Sequence, residues 1–240
     1  MSADDSVGDV MDARVIDLNA DLGEEVTDDA GLLAVVTSAN VACGYHAGNR
    51  TIMRQVCEES VLRGVAIGAQ VSYDDREHFG RRPLEVAPLT LREQVADQVG
   101  ILGELARAAG TEVTYVKPHG ALYHRVAHDA DQAAAVLAGS GDLPVMGLPG
   151  ARILELARTR GRRVAHEGFP DRGYTPDGGL LPRGSPGAVL EDADEIAARA
   201  VDLARLVDSL CVHGDTPGAV GHAHAVRRAL EAAGYLLRPW

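Results

Sequence analysis

Amine side chains are almost absent from this sequence. Its 240 residues hold 22 arginines and a single lysine, Lys117, so an ordinary need for surface cations does not explain that position. Aromatic residues are also scarce, at 4% with two phenylalanines and one tryptophan. The core must therefore be filled by Ala, Val, Leu and Ile, as where helices pack on parallel strands. The three cysteines, Cys43, Cys57 and Cys211, are odd in number and form no C-x-x-C pair. That argues against a disulfide framework and a structural zinc site, and a reducing cytoplasm is the expected location. No run approaches 18 apolar residues, and the opening MSADDSVGDVMDAR carries four aspartates without an apolar segment; neither a membrane-spanning helix nor a standard secretory signal is expected. With 23 basic against 35 acidic residues, the formal charge of -12 repels phosphate backbones and anionic membranes, so no nucleic acid or membrane partner is expected. The sequence G-x-x-x-x-G-K-[ST] is missing too, because valine precedes the sole lysine. A P-loop nucleotide site is thereby excluded.

What is present is an alternation. Short apolar or β-branched runs at 14–18, 39–43, 65–69, 113–117, 144–148, 163–167 and 210–213 are separated mostly by helical patterns, with a short eighth run at 235–237. Thr90 followed by Glu93 signals the start of a helix with Leu91, Val95, Val99, Leu102 and Ala106 on one stripe, stopped by Gly110. Asp192 with Glu195 repeats the signal before Ile196, Ala200, Ala204 and Val207, and a helix over 49–63 is capped by Asn49 and ends at Gly64. Length and alternation predict one α/β domain over residues 14–240, a single (β/α) barrel of about seven parallel strands, preceded by a disordered acidic segment 1–13. Two segments, 72–88 and 169–187, resist regular assignment. Each follows a strand directly, and such loops build the active-site face of a barrel, so both are candidate lids or substrate loops.

The residues at the strand ends are rich in chemistry. DLNADLGE alternates with a strand's period, which turns Asp17, Asn19 and Asp21 to one side, the lumen of a barrel. Asp17 and Asp21 then need buried partners or a function; Glu24 reads equally as a helix-start residue or a site residue. The second strand leads through Asn40 and Cys43 to His46, which could transfer a proton, ligate an ion or cap a helix. The third ends at Gln70, the sixth at Glu167 and Asp171, and the seventh at His213 and Asp215. Cys43 and Cys211 read as small core residues, since neither has a flanking cation in sequence. His78, His128, His166, His222 and His224 read as ordinary, and His124 as a surface residue.

Lys117 stands at the fourth strand's end, in VKPHGALYH. Pro118 keeps the chain extended, so the ammonium and the His119 imidazole point into one pocket. Arginine cannot substitute where a compact or deprotonatable charge is required.

DLNADLGE, SANVACGYHAGN, VAIGAQVSYDDREHFGR, VKPHGALYH, DRGYTPDGGLLPR and CVHGD, in that order, resemble the LamB/YcsF family from about Val15 to Gly234. The resemblance implies a β/α barrel of the glycoside hydrolase/deacetylase kind. It also implies ATP-dependent opening of 5-oxo-L-proline (pyroglutamate) to L-glutamate, with partner subunits B and C. The family usually has histidine then proline where this chain has Gln70 and Val71, proline at Asp74 and aspartate at Asn49; the stretch from Asp192 to Cys211 is shorter than the family's.

An amide resists water, and phosphorylation of its carbonyl oxygen by ATP removes that resistance. On this reading Lys117 stabilises charge on the lactam oxygen, while His119, Asp17 or Asp21, and His46 handle the water and its protons. Asn19, Asn40, Gln70, Arg172, His213 and Asp215 are candidate substrate contacts. ATP is expected partly on a partner protein. No metal ligands are assigned; a divalent ion enters only under a rival reading, a deacetylase-like hydrolase using Asp17 or Asp21 with His46. Two other rivals are a Schiff-base lyase acting through Lys117 and a noncatalytic subunit that holds 5-oxoproline for its partners.

Overall fold

Parallel strands need crossover connections, and this chain supplies a helix or a long loop for each. Seven strands result: β1 (Arg14–Leu22), β2 (Ser38–Ala42), β3 (Ala66–Val71), β4 (Val113–Pro118), β5 (Val145–Gly147), β6 (Val164–Gly168) and β7 (Ser209–Val212). In the computed structural model, which describes residues 14–240, they pair in the order β2-β3-β4-β5-β6-β7-β1, and β1 pairs with β2 to close the ring. This is the expected seven-stranded α/β barrel. The expectation for residues 1–13 lies outside the described residues. The long β1 has a second use: its first three residues carry β8 (Tyr235–Leu237) outside the ring.

Around the barrel lie α1 (Asp29–Leu33), α2 (Arg50–Arg63), α3 (Pro88–Ala109), α4 (Gly120–Arg125), α5 (Ala130–Gly139), α6 (Arg152–Thr159), α7 (Ala193–Leu203) and α8 (Ala219–Ala232). Asn49 caps α2 by accepting from the Thr51 and Ile52 N–H groups, and Asp192 caps α7 by accepting from Glu195 N–H. The start of α3 differs from expectation. Pro88 occupies its first turn, where a missing N–H costs nothing, and Thr90 lies inside the helix. Its stripe does bury Leu91, Val95, Leu102 and Ala106, together with Gln98. The Gln98 amide binds both the N–H and the carbonyl of Ser72, which fixes the chain as it leaves β3.

Outward-facing Leu18, Ala20, Leu22, Val41, Ile67, Val116 and Val212 join the helices in one apolar core. The lumen is different in kind. Tyr115, Met146 and Ala165 form a small separate apolar floor with Trp240 packed against it. Above the floor the lumen is polar. Gly68 makes room there, since a Cβ at that position would lie 2.2 Å from the Tyr115 ring. Gly68→Ala is expected to cost about 1–3 kcal/mol by overpacking, read as a lowered urea midpoint.

Candidate functional site

The deepest polar layer belongs to Asp17. Its carboxylate accepts from Thr37 Oγ1 at 2.6 Å, from Ser38 Oγ at 2.7 Å and from Ser209 Oγ. Burial outweighs these hydroxyls and raises its pKa from 3.8 to about 6. The native state therefore binds more protons than the unfolded chain between those values, and this group's contribution to stability falls as pH rises across that window, by roughly 3 kcal/mol. Asp17→Asn should flatten the dependence of the urea midpoint between about pH 4 and pH 6; an unchanged slope would contradict the assignment.

Asn19 and Asn40 form the next layer. Asn19 Nδ2 donates to Ser209 Oγ at 2.7 Å, and Asn40 Nδ2 donates to Asn19 Oδ1 at 2.6 Å and Asp21 Oδ1 at 3.0 Å. Tyr115 Oη donates to Asn40 Oδ1 at 2.7 Å. Asp17, Asn19 and Asn40 thus support the site from beneath rather than lining the cavity above it. The strand parity that turned them inward is as expected; their reach to a substrate is not.

Lys117 closes this stack. Its Nζ lies 2.9 Å from Asp21 Oδ1, 2.8 Å from Glu167 Oε1 and 3.2 Å from Cys211 Sγ. Glu167 is held in turn by Tyr123 Oη, which donates to Oε2 at 2.9 Å, and Lys117 stands 5.4 Å from the Phe169 ring centre. Burial alone would lower the lysine pKa, but Asp21, Cys211 and Glu167 outweigh it and hold the ammonium well above its usual range. Burial likewise pushes Asp21 up, but Lys117 together with His119 and His213 more than reverses this, leaving the carboxylate well below its usual range. Cys211 does have a cation beside it, contributed by another strand and so invisible in its own sequence neighbours. Its thiol is nevertheless pushed up, because burial exceeds the pull of Lys117.

Across the cavity, Asp171 accepts from both the backbone N–H of His213 at 2.9 Å and its Nδ1 at 2.9 Å. That arrangement puts the proton on Nδ1 and leaves Nε2 as the acceptor. Phe169 stacks on the imidazole with ring centres 5.3 Å apart. Asp171 itself sits below the ordinary carboxylate range: burial raises it, but His213 outweighs burial.

A third group surrounds Gln70. Its Nε2 lies 2.9 Å from Glu24 Oε1 and 2.9 Å from His119 Nδ1, and its Oε1 lies 3.2 Å from His46 Nε2. His46 and His119 stack with ring centres 4.2 Å apart. Burial, then His119, lowers the His46 pKa to about 4, so this imidazole is neutral at neutral pH. Of the group only His119 lines the cavity. Glu24 is 2% exposed and belongs to the site rather than to a helix start. Glu24, His46 and His119 bring ligand atoms within 4.8 Å of one another, but the Gln70 amide nitrogen is already bonded to two of the three. As arranged, the set does not fit a divalent ion, and Asp17, named in the rival metal reading, is not among the grouped ligands.

The cavity measures about 320 Å³, with Asp21, Lys117, His119 and His213 in its wall. Both irregular segments reach it, 72–88 through Arg81 and 169–187 through Phe169, Arg172 and Arg183. Asp215 pairs with Arg81 and, at 3.4 Å, with Arg183, which lowers its pKa against the effect of burial. Arg172 spends Nε on the Ala188 carbonyl at 2.8 Å and Nη2 on the Leu181 carbonyl at 2.6 Å, so much of its guanidinium ties down the loop. His124 is exposed, as expected, but stands at the cavity mouth.

The sequence pattern of the LamB/YcsF family matches residues 16–240. The chain belongs to this family. Among LamB/YcsF relatives, it is 56% identical to the A subunit of 5-oxoprolinase from Streptomyces avermitilis, over 92% of this chain and 97% of the relative. It is 46% identical to the protein of that name from Kocuria rhizophila over 93% and 98%. The crystal structure of a lactam utilization protein from Thermus thermophilus superposes with a TM-score of 0.87 at 35% identity, covering 94% of this chain and 99% of the other. A peptidoglycan deacetylase from Bacillus subtilis shares the fold alone, with a TM-score of 0.53 at 13% identity over 95% and 88% of the two chains.

Proposed function

We propose that this chain is the A subunit of an ATP-dependent 5-oxoprolinase, opening the lactam of 5-oxo-L-proline to L-glutamate together with subunits B and C in the cytoplasm. The observation that carries this reading is Lys117, the only lysine, fixed between two carboxylates in the wall of a cavity sized for a small molecule. The names borne by relatives at 46–56% identity support it.

The residues assign themselves by what they can still offer. Lys117 Nζ donates to Asp21 Oδ1 and to Cys211 Sγ, the weakest acceptor among its neighbours, and forms a close ion pair with Glu167 Oε1. The Cys211 contact is the one to exchange for a lactam oxygen as charge develops there. His213, with Nδ1–H fixed by Asp171, accepts a proton from water at Nε2. Arg81 and Arg183 present cations for the substrate's carboxylate at the mouth. Without a P-loop in this chain, most of the ATP site falls to a partner. The Schiff-base reading has the opposite requirement, an amine with a lowered pKa, whereas Lys117 is held charged. The metal-hydrolase reading meets the Gln70 amide in the way.

Mixing the purified chain with subunits B and C should give 5-oxoproline-dependent ATP hydrolysis and stoichiometric glutamate, with the chain alone inactive. Turnover by the chain alone would overturn the dependence on partners, and no turnover in the full mixture would overturn the reaction.

A further inference from the structure

Glu24, His46 and His119 are all at least nine-tenths buried, and one side chain holds them together. Gln70 is 0% exposed and sits at the end of β3, where the register with β4 places it opposite Lys117. The orientation of its amide follows from chemistry. Glu24 Oε1 accepts, so the amide face 2.9 Å away is the NH₂. The second N–H of that nitrogen then meets His119 Nδ1, which must accept, and the amide oxygen accepts a hydrogen bond from His46 Nε2–H. His119 completes the chain by donating Nε2–H to the Phe79 carbonyl at 3.2 Å. Every hydrogen bond in the series agrees with its neighbours when both imidazoles carry the ring proton on Nε2.

The enclosure is tight. Phe79 packs edge-on to His46 and His119, with ring centres 5.9 and 5.6 Å away. Behind it Gly80 has φ +67°, and a Cβ there would lie 2.3 Å from Ser72 Oγ and 2.9 Å from His46 Cβ. Three donors gathered this closely around one point are the arrangement a transition-metal ion uses. Here the Gln70 amide occupies that position, with its NH₂ on Glu24 and His119 Nδ1 and its oxygen on His46 Nε2.

We propose that the Gln70 amide takes the place of a cation among Glu24, His46 and His119, fixing His119 for the cavity without a metal and barring divalent transition metals from the cluster. Removing the amide opens a three-donor site. Gln70 is thus a positioning residue, acting on the cavity through His119.

Cobalt(II) serves as the probe, because imidazole and carboxylate ligation give it intense visible d–d bands. The wild-type chain is expected to show no such bands with one equivalent of Co²⁺. Gln70→Ala and Gln70→His should each bind one ion per chain, at least about a hundredfold more tightly than wild type, and lose it when His46→Ala is added. Wild-type protein that develops His46-dependent bands would overturn the proposal, as would folded Gln70 variants that bind no better than wild type. If neither variant folds, imidazole ¹⁵N spectra of the wild type decide. Both His46 and His119 should appear as neutral Nε2–H tautomers, unchanged by one equivalent of Zn²⁺; an Nδ1–H tautomer at His119 or a Zn²⁺-induced shift would refute it.

Discussion

Lys117→Met is expected to reduce turnover of the reconstituted complex by about 10²–10³-fold or more and to destabilise the fold by about 3–5 kcal/mol at neutral pH. The second effect arises because Asp21 and Glu167, 5% and 0% exposed at the side chain, lose their shared cation while remaining buried. Its pH dependence is distinctive. In the wild type, Asp21 titrates well below 3.8 and Lys117 well above 10.5. The stability they contribute is therefore present between those values. It is lost as pH falls through the folded Asp21 value or rises through that of Lys117. In the variant the carboxylates favour protonation, so the stability gap to wild type should narrow on acidification. Lys117→Arg should also be inactive. A planar guanidinium, larger than the ammonium it replaces, cannot place its donors on Asp21, Glu167 and Cys211 at once; retained turnover in that variant would remove Lys117 from the chemistry. Urea titrations of the chain alone and initial rates of the complex measure the two effects separately.

Asp171→Asn should lower turnover by about 10²–10⁴-fold while leaving the fold intact. The carboxylate receives two N–H groups from His213, one from the backbone and one from the ring. Asparagine removes the negative charge that stabilises the imidazolium formed when Nε2 takes a proton, and its NH₂, placed at the Oδ1 position 3.1 Å from Nδ1, favours the tautomer protonated on Nε2. The base is then protonated at the atom that should accept. KM should change little, because Asp171 does not line the cavity. A variant with full kcat, or one whose loss lies wholly in KM, would remove the pair from the proton-transfer step.

The barrel was legible because its signals are local. The apolar runs fell on the observed strands to within a few residues, and Asn49 and Asp192 cap the helices that their positions announce. The inward turn of Asp17, Asn19 and Asp21 also follows from a two-residue period. Depth does not. Whether a lumen residue reaches the cavity depends on how far along the barrel it stands, and Asp17 and Asn19 stand too low. Glu167 and Asp171 were visible as strand-end acids, but their importance lies in what they hold: Lys117 from β4 and His213 after β7. Those pairings join different strands and leave no trace in sequence spacing. The same holds for Cys211, whose cation comes from a different strand, and for Gln70, whose three partners are contributed by separate segments. Arg172 misleads in the opposite sense, since a motif arginine beside a cavity spends two of its nitrogens on backbone carbonyls.

Lys117 must be a permanently charged ammonium, locked to Asp21 and Glu167, for the rest of the site to work as described. Because the chain has only one lysine, ¹⁵Nζ-lysine labelling gives a single side-chain signal that needs no assignment. That signal is expected to stay at the ammonium position throughout titration to pH 10.5, the ordinary lysine value, with slowed proton exchange, and to move only at higher pH. A signal that crosses to the neutral amine below that value would contradict the locked ion pair and the chemistry built on it.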